Sequence, residues 1–282
     1  MTAEQKNTID PKAFLYTYFK EIIAGVLFLF VYGPTFGWMW DRWNAASSYY
    51  SHGWLIPIVT IVLIYLQRDE LVKIERKESG WGIVLIVIGL LIHLISAVLR
   101  IYFTSGFSMM FVIPGLILFF WGKETLSKIA FPVAFLVFMI PLPMVLITNI
   151  SFKMKLFAAQ IATYMLNDLG VRAIRSGSTI YMNTSSVVVD DVCSGLKYLI
   201  SLTALGSIFA YWLKGSMLKR IFLFLCTLPI AIISNVARII LLALISEIWG
   251  TEYATGTIHD VLGFTVFVVA FVLLFFSSKV LE

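Results

Sequence analysis

Residues 187–198 read Val187-Val188-Val189-Asp190-Asp191-Val192-Cys193-Ser194-Gly195-Leu196-Lys197-Tyr198. This order predicts a polar, strand-like loop that ends in two carboxylates and leads into an apolar membrane helix. Cys193 would then lie on the first turn of that helix, at the water boundary. A helix N-terminus carries roughly half a positive charge, which favours the thiolate of a cysteine placed there. Cys193 is therefore a candidate nucleophile, although a small residue that packs a helix start would give the same pattern.

The composition of the chain indicates a polytopic membrane protein. Of its 282 residues, 60% are hydrophobic and 13% are charged, and the mean hydropathy is +0.93. A soluble domain of this length cannot bury so much apolar surface, whereas a bilayer solvates it. The net charge of +5 does not indicate a nucleic-acid partner, because the basic residues are dispersed over short loops. Two cysteines do not make a disulfide framework, and residues 1–20 lack the features of a removed signal peptide.

Apolar runs predict eight transmembrane spans within a single integral membrane domain, 1–282. The predicted spans are 22–40, 54–67, 81–99, 106–121, 129–148, 193–213, 221–248 and 260–278. Pro141 and Pro143 predict a kink or break near the far end of the fifth span. The predicted fold class is thus an all-α bundle of about eight transmembrane helices. Residues 150–168 alternate apolar and polar side chains and are expected to form an interfacial helix, and 171–190 a loop or small hairpin with a turn at Gly177.

The distribution of basic residues sets the orientation of these spans. With the segment 1–20 in the cytoplasm, thirteen of the 21 basic residues lie on the inner side. These are Lys6, Lys12, Lys20, Arg68, Lys73, Arg76, Lys77, Lys123, Lys128, Lys214, Lys219, Arg220 and Lys279. The inverted topology would reverse this bias. We therefore expect a multi-pass protein of the cell inner (plasma) membrane, with 150–190 and the candidate site facing the extracytoplasmic side.

Three ionisable residues associated with the helices in 193–278 reach the outer boundary at one depth. Cys193 opens the sixth span and His259 opens the eighth, both from the outer side. Arg238 follows Arg220 by 18 residues, or about 27 Å of helix, in a hydrocarbon core about 30 Å thick. A thiolate can attack a carbonyl, a histidine can move protons, and a guanidinium can stabilise an oxyanion. The alternatives are snorkelling to lipid phosphate for Arg238 and helix capping for His259.

Short motifs around these residues resemble those of the exosortase/archaeosortase family of membrane-embedded cysteine transpeptidases. Three of them, in the same order as in the family, are Cys193-Ser194-Gly195, Asn235-Val236-Ala237-Arg238-Ile239 and His259-Asp260-Val261-Leu262-Gly263. Two earlier stretches, Tyr50-Ser51-His52-Gly53 and Met139-Ile140-Pro141-Leu142-Pro143, are also similar to family motifs. The resemblance covers residues 49–264. It implies that Cys193 is the nucleophile, that Arg238 stabilises the transition state and that His259 is the acid and base.

The resemblance also implies what the protein acts on. The expected substrates are exported, membrane-anchored proteins with a C-terminal sorting signal. Such a signal comprises a short motif, often Pro-Glu-Pro, then a transmembrane helix and a basic tail. The signal would be cut through a thioester, and the protein passed to an acceptor, for which lipid and polysaccharide both remain open.

Other polar residues are supporting candidates for the site: His52, Asn235, Asp190, Asp191 and Asp260. His52 lies at outer depth and could contact substrate or serve an interfacial structural role. The two carboxylates Asp190 and Asp191 could hold Arg238 or His259, or could simply be solvated in a loop. Residues 150–168 and 171–190 could form a wall that receives an extended segment of the substrate.

Several residues fit a plainer interpretation. His93 lies well inside the third span and is expected to be a hydrogen-bonded core histidine. Ser194 and Lys197 match the Ser-x-x-Lys of serine acyl-enzymes, but the companion motifs are absent. The histidines lack metal-ligand spacing and no Gly-rich phosphate loop stands out, so no metal or cofactor is expected.

The main alternative function is a polytopic transporter, in which Arg238 and Asn235 would bind an anionic solute. A transporter predicts polar residues through the membrane midplane and an inverted repeat. The polar residues instead gather on one side, and the sequence has no visible repeat. A non-catalytic assembly protein is a second alternative, and a reactive thiol would have no role in it.

Overall fold

The computed structural model describes residues 18–46, 48–254 and 256–282. Most of the predicted cytoplasmic segment 1–20 therefore lies outside the described residues. Two compact units are present. The first combines the described residues up to Asp41 with Val59–Ile140, and the second combines Arg42–Ile58 with Pro141–Glu282. All the candidate site residues belong to the second unit. That the chain forms a single integral membrane domain stays a prediction.

Helices dominate the N-terminal half of the chain. In order they are α1 (Phe19–Val31), α2 (Gly33–Asn44), α3 (Leu55–Tyr65), α4 (Arg68–Leu71), α5 (Trp81–Leu99), α6 (Tyr102–Phe120), α7 (Gly122–Lys128) and α8 (Ala130–Phe135), which the 3-10 turn Leu136–Met139 extends. Helices α5 and α6 are closely packed at Gly82. A Cβ added at this residue would lie 2.5 Å from the backbone nitrogen of Phe119. Small residues permit this kind of packing between membrane helices. His93 Nδ1 lies 2.8 Å from Ser105 Oγ, so the predicted hydrogen bonding of this histidine is confirmed.

The C-terminal half combines helices with one small sheet. Its elements are α9 (Met144–Asp168), β1 (Ile174–Ser176), β2 (Thr179–Tyr181), β3 (Ser186–Val188), the 3-10 turn Asp191–Cys193, α10 (Leu196–Trp212), α11 (Met217–Trp249), the 3-10 turn Thr251–Ala254 and α12 (Thr257–Leu281). The strands form an antiparallel sheet of order β1-β2-β3. A hairpin turns at Gly177, whose φ is +63°. The placement of this sheet outside the membrane stays a prediction.

The helix lengths agree with an all-α, multi-pass membrane protein. Within the described residues, five helices are long and apolar enough to cross a membrane, namely α5, α6, α9, α11 and α12. The number is six if the bent pair α1 and α2 forms one span. Leu55–Tyr65, Ala130–Met139 and Leu196–Trp212 are apolar but shorter. The count of eight spans stays a prediction.

The helix break predicted from Pro141 and Pro143 is confirmed. Helical structure ends at Met139, Ile140 is extended, and a new helix starts at Met144. The predicted end of the fifth span at residue 148 is therefore wrong, because a residue before proline is driven out of the α region. The predicted interfacial helix 150–168 is likewise part of a longer helix. Helix α9 has 25 residues and is apolar enough to span a membrane.

One apolar core positions the site within the second unit. It joins α9, the sheet and α11 around Ala158, Ala159, Ala162, Leu166, Ala173, Ile180, Val189, Cys193, Val236, Ile239, Ile240 and Ala243. Alternate residues of a strand point to opposite faces, so Ile180, Val187 and Val189 cover the helices while Val188 faces outward. The cysteine is thus fixed where the sheet meets α11.

Candidate active site

Cys193 lies on a tight turn that Asn235 holds. The 3-10 turn Asp191–Cys193 precedes α10, which begins at Leu196. The expectation that Cys193 opens the helix is therefore wrong, because Gly195, in the left-handed region with a φ of +83°, separates the cysteine turn from the helix. An added Cβ on Gly195 would come within 2.7 Å of the Asn235 side chain. Asn235 Nδ2 donates a hydrogen bond to the Cys193 carbonyl over 3.0 Å.

The thiol of Cys193 contacts the imidazole of His259. Cys193 Sγ and His259 Nε2 are 2.6 Å apart. His259 lies on the first turn of α12, and its Nδ1 is 3.5 Å from the Asp260 carboxylate. A proton on Nδ1 that faces this carboxylate leaves Nε2 as the acceptor for the thiol proton. This is the geometry of a nucleophile with its base.

The third residue of the group, Arg238, is buried beside the pair. Its side chain is 2% exposed, so it does not reach lipid headgroups. Nη2 lies 3.1 Å from His259 Nε2, 3.2 Å from Nδ1 and 3.2 Å from the His259 carbonyl. Nε and Nη1 have no hydrogen-bond partner among the described residues. Buried charged donors without acceptors are costly, which makes these two nitrogens candidates for contacts to a bound oxyanion.

A tyrosine that sequence reasoning did not assign supports Arg238. The Tyr198 ring centroid lies 5.5 Å from Arg238 Cζ, a cation–π distance. Gly263 makes room for both residues, since its Cβ would lie 2.5 Å from Tyr198 Oη and 3.0 Å from Arg238 Nη2. A side chain at this glycine of the His-Asp-x-x-Gly motif would therefore displace the Tyr198 hydroxyl or the Arg238 guanidinium. No sequence signal singled out Tyr198 apart from its place early in α10.

The environment of the thiol opposes spontaneous ionisation. Burial raises the pKa of Cys193 above its usual value, the nearby charge of Arg238 acts in the opposite direction, and Asp190 raises it further. The helix-start argument predicted a lowered pKa and is wrong in direction, because the cysteine is buried and precedes the helix. A thiol in this environment stays protonated unless a neighbouring group accepts its proton, and His259 Nε2 lies within hydrogen-bond distance.

Asp191 anchors the cysteine turn through its carboxylate, and Asp190 does so through its backbone carbonyl. Asp191 Oδ1 accepts hydrogen bonds from Lys155 Nζ at 2.8 Å and Ser151 Oγ at 3.4 Å, which ties the turn to α9. The carbonyl of the exposed Asp190 accepts the Cys193 N–H over 2.9 Å. In the described part of the chain, neither carboxylate is hydrogen-bonded to Arg238 or His259. These acids therefore hold neither candidate through a hydrogen bond, although the charge of Asp190 is close enough to act on Cys193 and His259.

The side chain of His52 contacts helix α10 and does not contact the thiol of Cys193. Its Nδ1 lies 3.1 Å from Ser201 Oγ. Burial and the charge of Lys197 lower the pKa of His52 to about 4, so it is neutral at physiological pH. Among the described contacts, none joins His52 to Cys193, which favours the structural role.

The Ser-x-x-Lys pattern does not form a catalytic pair. Ser194 is 1% exposed, and its hydroxyl accepts a hydrogen bond from the Leu196 N–H at 3.3 Å, while Lys197 is exposed. Ser194 is thus a local cap at the start of α10. Within the described residues, no cluster of His, Cys, Asp and Glu is arranged to hold a metal ion.

A cleft gives access to the cysteine and the histidine. Its volume is about 470 Å³, which suits a short segment of peptide or a small molecule. It is lined by Ser186, Val187, Val188, Val189, Asp190, Cys193, Ile239, Leu242, Thr251, Ala254, Gly256 and His259. The end of the loop 171–190 therefore lines this cleft, whereas 150–168 contributes no lining residue. Whether the cleft receives the substrate stays a prediction.

The comparisons with known proteins agree with this geometry. Residues 40–276 match the family described as transmembrane exosortase, a range that includes Cys193, Arg238 and His259. No curated protein and no solved structure matches the chain. The match supports a membrane transpeptidase that acts on membrane-anchored substrates with sorting signals. The chain belongs to the transmembrane exosortase family.

Proposed function

We propose that the protein is a cysteine peptidase and transpeptidase that removes the C-terminal sorting signal of exported proteins and transfers them to an acceptor. The observation that carries this proposal is the 2.6 Å contact between Cys193 Sγ and His259 Nε2 beside a buried Arg238. The signal would be of the Pro-Glu-Pro type followed by a transmembrane helix and a basic tail. The acceptor is an amine, a hydroxyl or water.

The first half of the reaction forms a thioester. His259 Nε2 takes the thiol proton, and Cys193 Sγ attacks the carbonyl carbon of the scissile peptide bond. The carbonyl oxygen becomes an oxyanion, which we assign to the guanidinium of Arg238, because its Nε and Nη1 have no hydrogen-bond partner among the described residues. His259 then returns the proton to the leaving nitrogen, the C–N bond breaks, and the signal departs with a new amino terminus.

The second half resolves the thioester. The acceptor's amine or hydroxyl, or water, attacks the thioester carbonyl while His259 Nε2 takes its proton. Arg238 binds the second oxyanion as it did the first. The C–S bond breaks, Cys193 leaves as a thiolate, and His259 reprotonates it. Tyr198 and Asn235 are assigned positioning roles, since they hold Arg238 and the cysteine turn respectively.

The transporter alternative is less well supported. A binding site for an anion would use Arg238 and Asn235, but it would give no reason for a thiol to contact an imidazole at hydrogen-bond distance. Asn235 moreover uses its amide nitrogen to hold the Cys193 carbonyl. We therefore favour an enzyme over a transporter. We further propose that it lies in the inner membrane with the cleft open to the extracytoplasmic side.

Reconstitution tests this proposal directly. Purified protein in lipid nanodiscs should cleave a membrane-anchored reporter that ends in a sorting signal of this kind. Cys193→Ala should abolish cleavage, and Cys226→Ala is the matched control, because that thiol lies on α11 away from the cleft. Full cleavage by Cys193→Ala would contradict a cysteine mechanism, and so would loss of cleavage in both variants to the same extent.

A further inference from the structure

The small sheet has one edge that lies in the cleft. Strand β3 is the last strand of the order β1-β2-β3, and no strand of the described chain pairs with its outer side. The cleft is lined by five consecutive residues, 186–190. Successive side chains of a strand point to opposite faces, so a consecutive run borders one cleft only if the strand presents its edge there. No residue of β1 or β2 contributes to this lining.

The register shows which backbone groups point into the cleft. In an antiparallel pair, opposed residues alternate between hydrogen-bonded and non-hydrogen-bonded pairs. The N–H of Val189 donates to Ser178 and the N–H of Met182 donates to Ser185, each over 2.9 Å. Ile180 opposite Val187 is then also a hydrogen-bonded pair. The N–H and C=O groups of Ser186 and Val188 consequently point away from β2, towards the cleft.

The position of this edge is fixed by contacts to α11. The Glu247 carboxylate accepts hydrogen bonds from the Thr184 N–H at 3.2 Å and the Ser185 hydroxyl at 2.8 Å. At the C-terminal end of β3, Val189 is 1% exposed and belongs to the core that also contains Cys193. The strand is therefore anchored at both ends, and its C-terminal end leads directly into the turn that carries the nucleophile.

We propose that the substrate binds in the cleft as an added β-strand, with its extended backbone hydrogen-bonded to Ser186 and Val188 of β3. An exposed strand edge next to a nucleophile is a template for an extended peptide. Backbone pairing would hold the scissile carbonyl against Cys193 and His259 largely independently of side chains. Ile239 and Leu242, both nearly fully buried, form an apolar wall for alternate substrate side chains. This inference rests on the proposed peptidase function.

The first arm of the test changes the substrate and leaves the protein intact. The probe is a semisynthetic membrane-anchored reporter in which single residues flanking the scissile bond carry N-methyl amides. Strand pairing predicts a period-two pattern. At alternate residues, N-methylation should raise the reporter concentration needed for half-saturation about ten-fold, since loss of one hydrogen bond of this kind has about that effect. At the residues between them, N-methylation should change this concentration little. A series without alternation would overturn the inference.

The second arm changes the edge of β3. Val188→Pro removes an outward N–H and keeps the ladder to β2, because proline is tolerated on edge strands with this orientation. The matched control is Arg175→Pro on β1, since Arg175 opposes Ile180 and its N–H points outward from the opposite edge. Val188→Pro should weaken reporter binding about ten-fold, whereas Arg175→Pro should not. Alkylation of Cys193 by iodoacetamide reports whether the site is intact in each variant.

The outcomes of these experiments distinguish failure of the strand-addition inference from failure of the proposed peptidase function. Equal binding by wild type and Val188→Pro, with the N-methyl series also flat, would overturn strand addition while the peptidase stands. Failure of the wild-type protein to cleave the unmodified reporter would overturn the proposed function and this inference with it. Selective weakening by Val188→Pro together with the period-two pattern would support both.

Discussion

Replacement of Arg238 by lysine distinguishes two roles of this residue. In one its guanidinium binds an oxyanion, and in the other it only supplies a buried positive charge. Arg238 is 2% exposed and uses Nη2 for His259, while Nε and Nη1 have no hydrogen-bond partner among the described residues. Lysine has a single ammonium and cannot serve both partners with planar geometry. Loss of one oxyanion donor costs about 2.7–4 kcal/mol, or roughly a hundred- to a thousand-fold in rate. We therefore expect Arg238→Lys to lose at least about a hundred-fold in acyl transfer.

The assay is single-turnover cleavage of a signal-bearing reporter by reconstituted protein. Thermal stability in detergent should show that Arg238→Lys is folded. Arg220→Lys is the control, because this arginine lies on the same helix, 18 residues earlier in the chain, and its Nε donates to the Leu213 carbonyl. A rate for Arg238→Lys within about three-fold of wild type would refute the reasoning, because one lost oxyanion donor should cost far more. Backbone N–H groups near the start of α10 would then be the remaining oxyanion donors.

Three further predictions concern the thiol, its turn and the orientation. Because burial raises the pKa of Cys193, its alkylation rate should rise with pH at a midpoint above that of a free cysteine; a lower midpoint would indicate a preformed thiolate–imidazolium pair. Gly195→Ala should destabilise the protein by at least about 1 kcal/mol, the cost of a left-handed alanine, and reduce cleavage. Gly25→Ala is its control, since nothing lies within 4 Å of the added Cβ. In a cysteine-free variant, Ala45→Cys should react with an impermeant thiol reagent from outside and Ser216→Cys should not; the reverse pattern would invert the topology.

Depth along the predicted helices was enough to group three residues correctly. Counting from Arg220 placed Arg238 at the boundary where the sequence also placed Cys193 and His259, and the structure brings these side chains into contact. Hydrophobic runs report depth because the bilayer fixes the length of a span. Their catalytic roles stay proposals.

The features that the sequence did not reveal depend on contacts between distant segments. Asp191 pairs with Lys155 of α9, and no local pattern distinguishes that partner from Arg238. Gly195, in the left-handed region, separates Cys193 from α10, and the space for a Cβ at this position is taken by the distant Asn235 side chain. The exposed edge of β3 follows from strand order, which three-residue strands do not encode in a periodic pattern.

Trapping the covalent intermediate tests the central claim most directly. Reconstituted protein is mixed with reporter in the absence of an added acceptor, quenched in acid and analysed by peptide mass spectrometry. The account predicts a hydroxylamine-sensitive adduct of the processed reporter on Cys193, absent in Cys193→Ala. Cleavage without any adduct, and at an unchanged rate in Cys193→Ala, would contradict a thioester mechanism at this site.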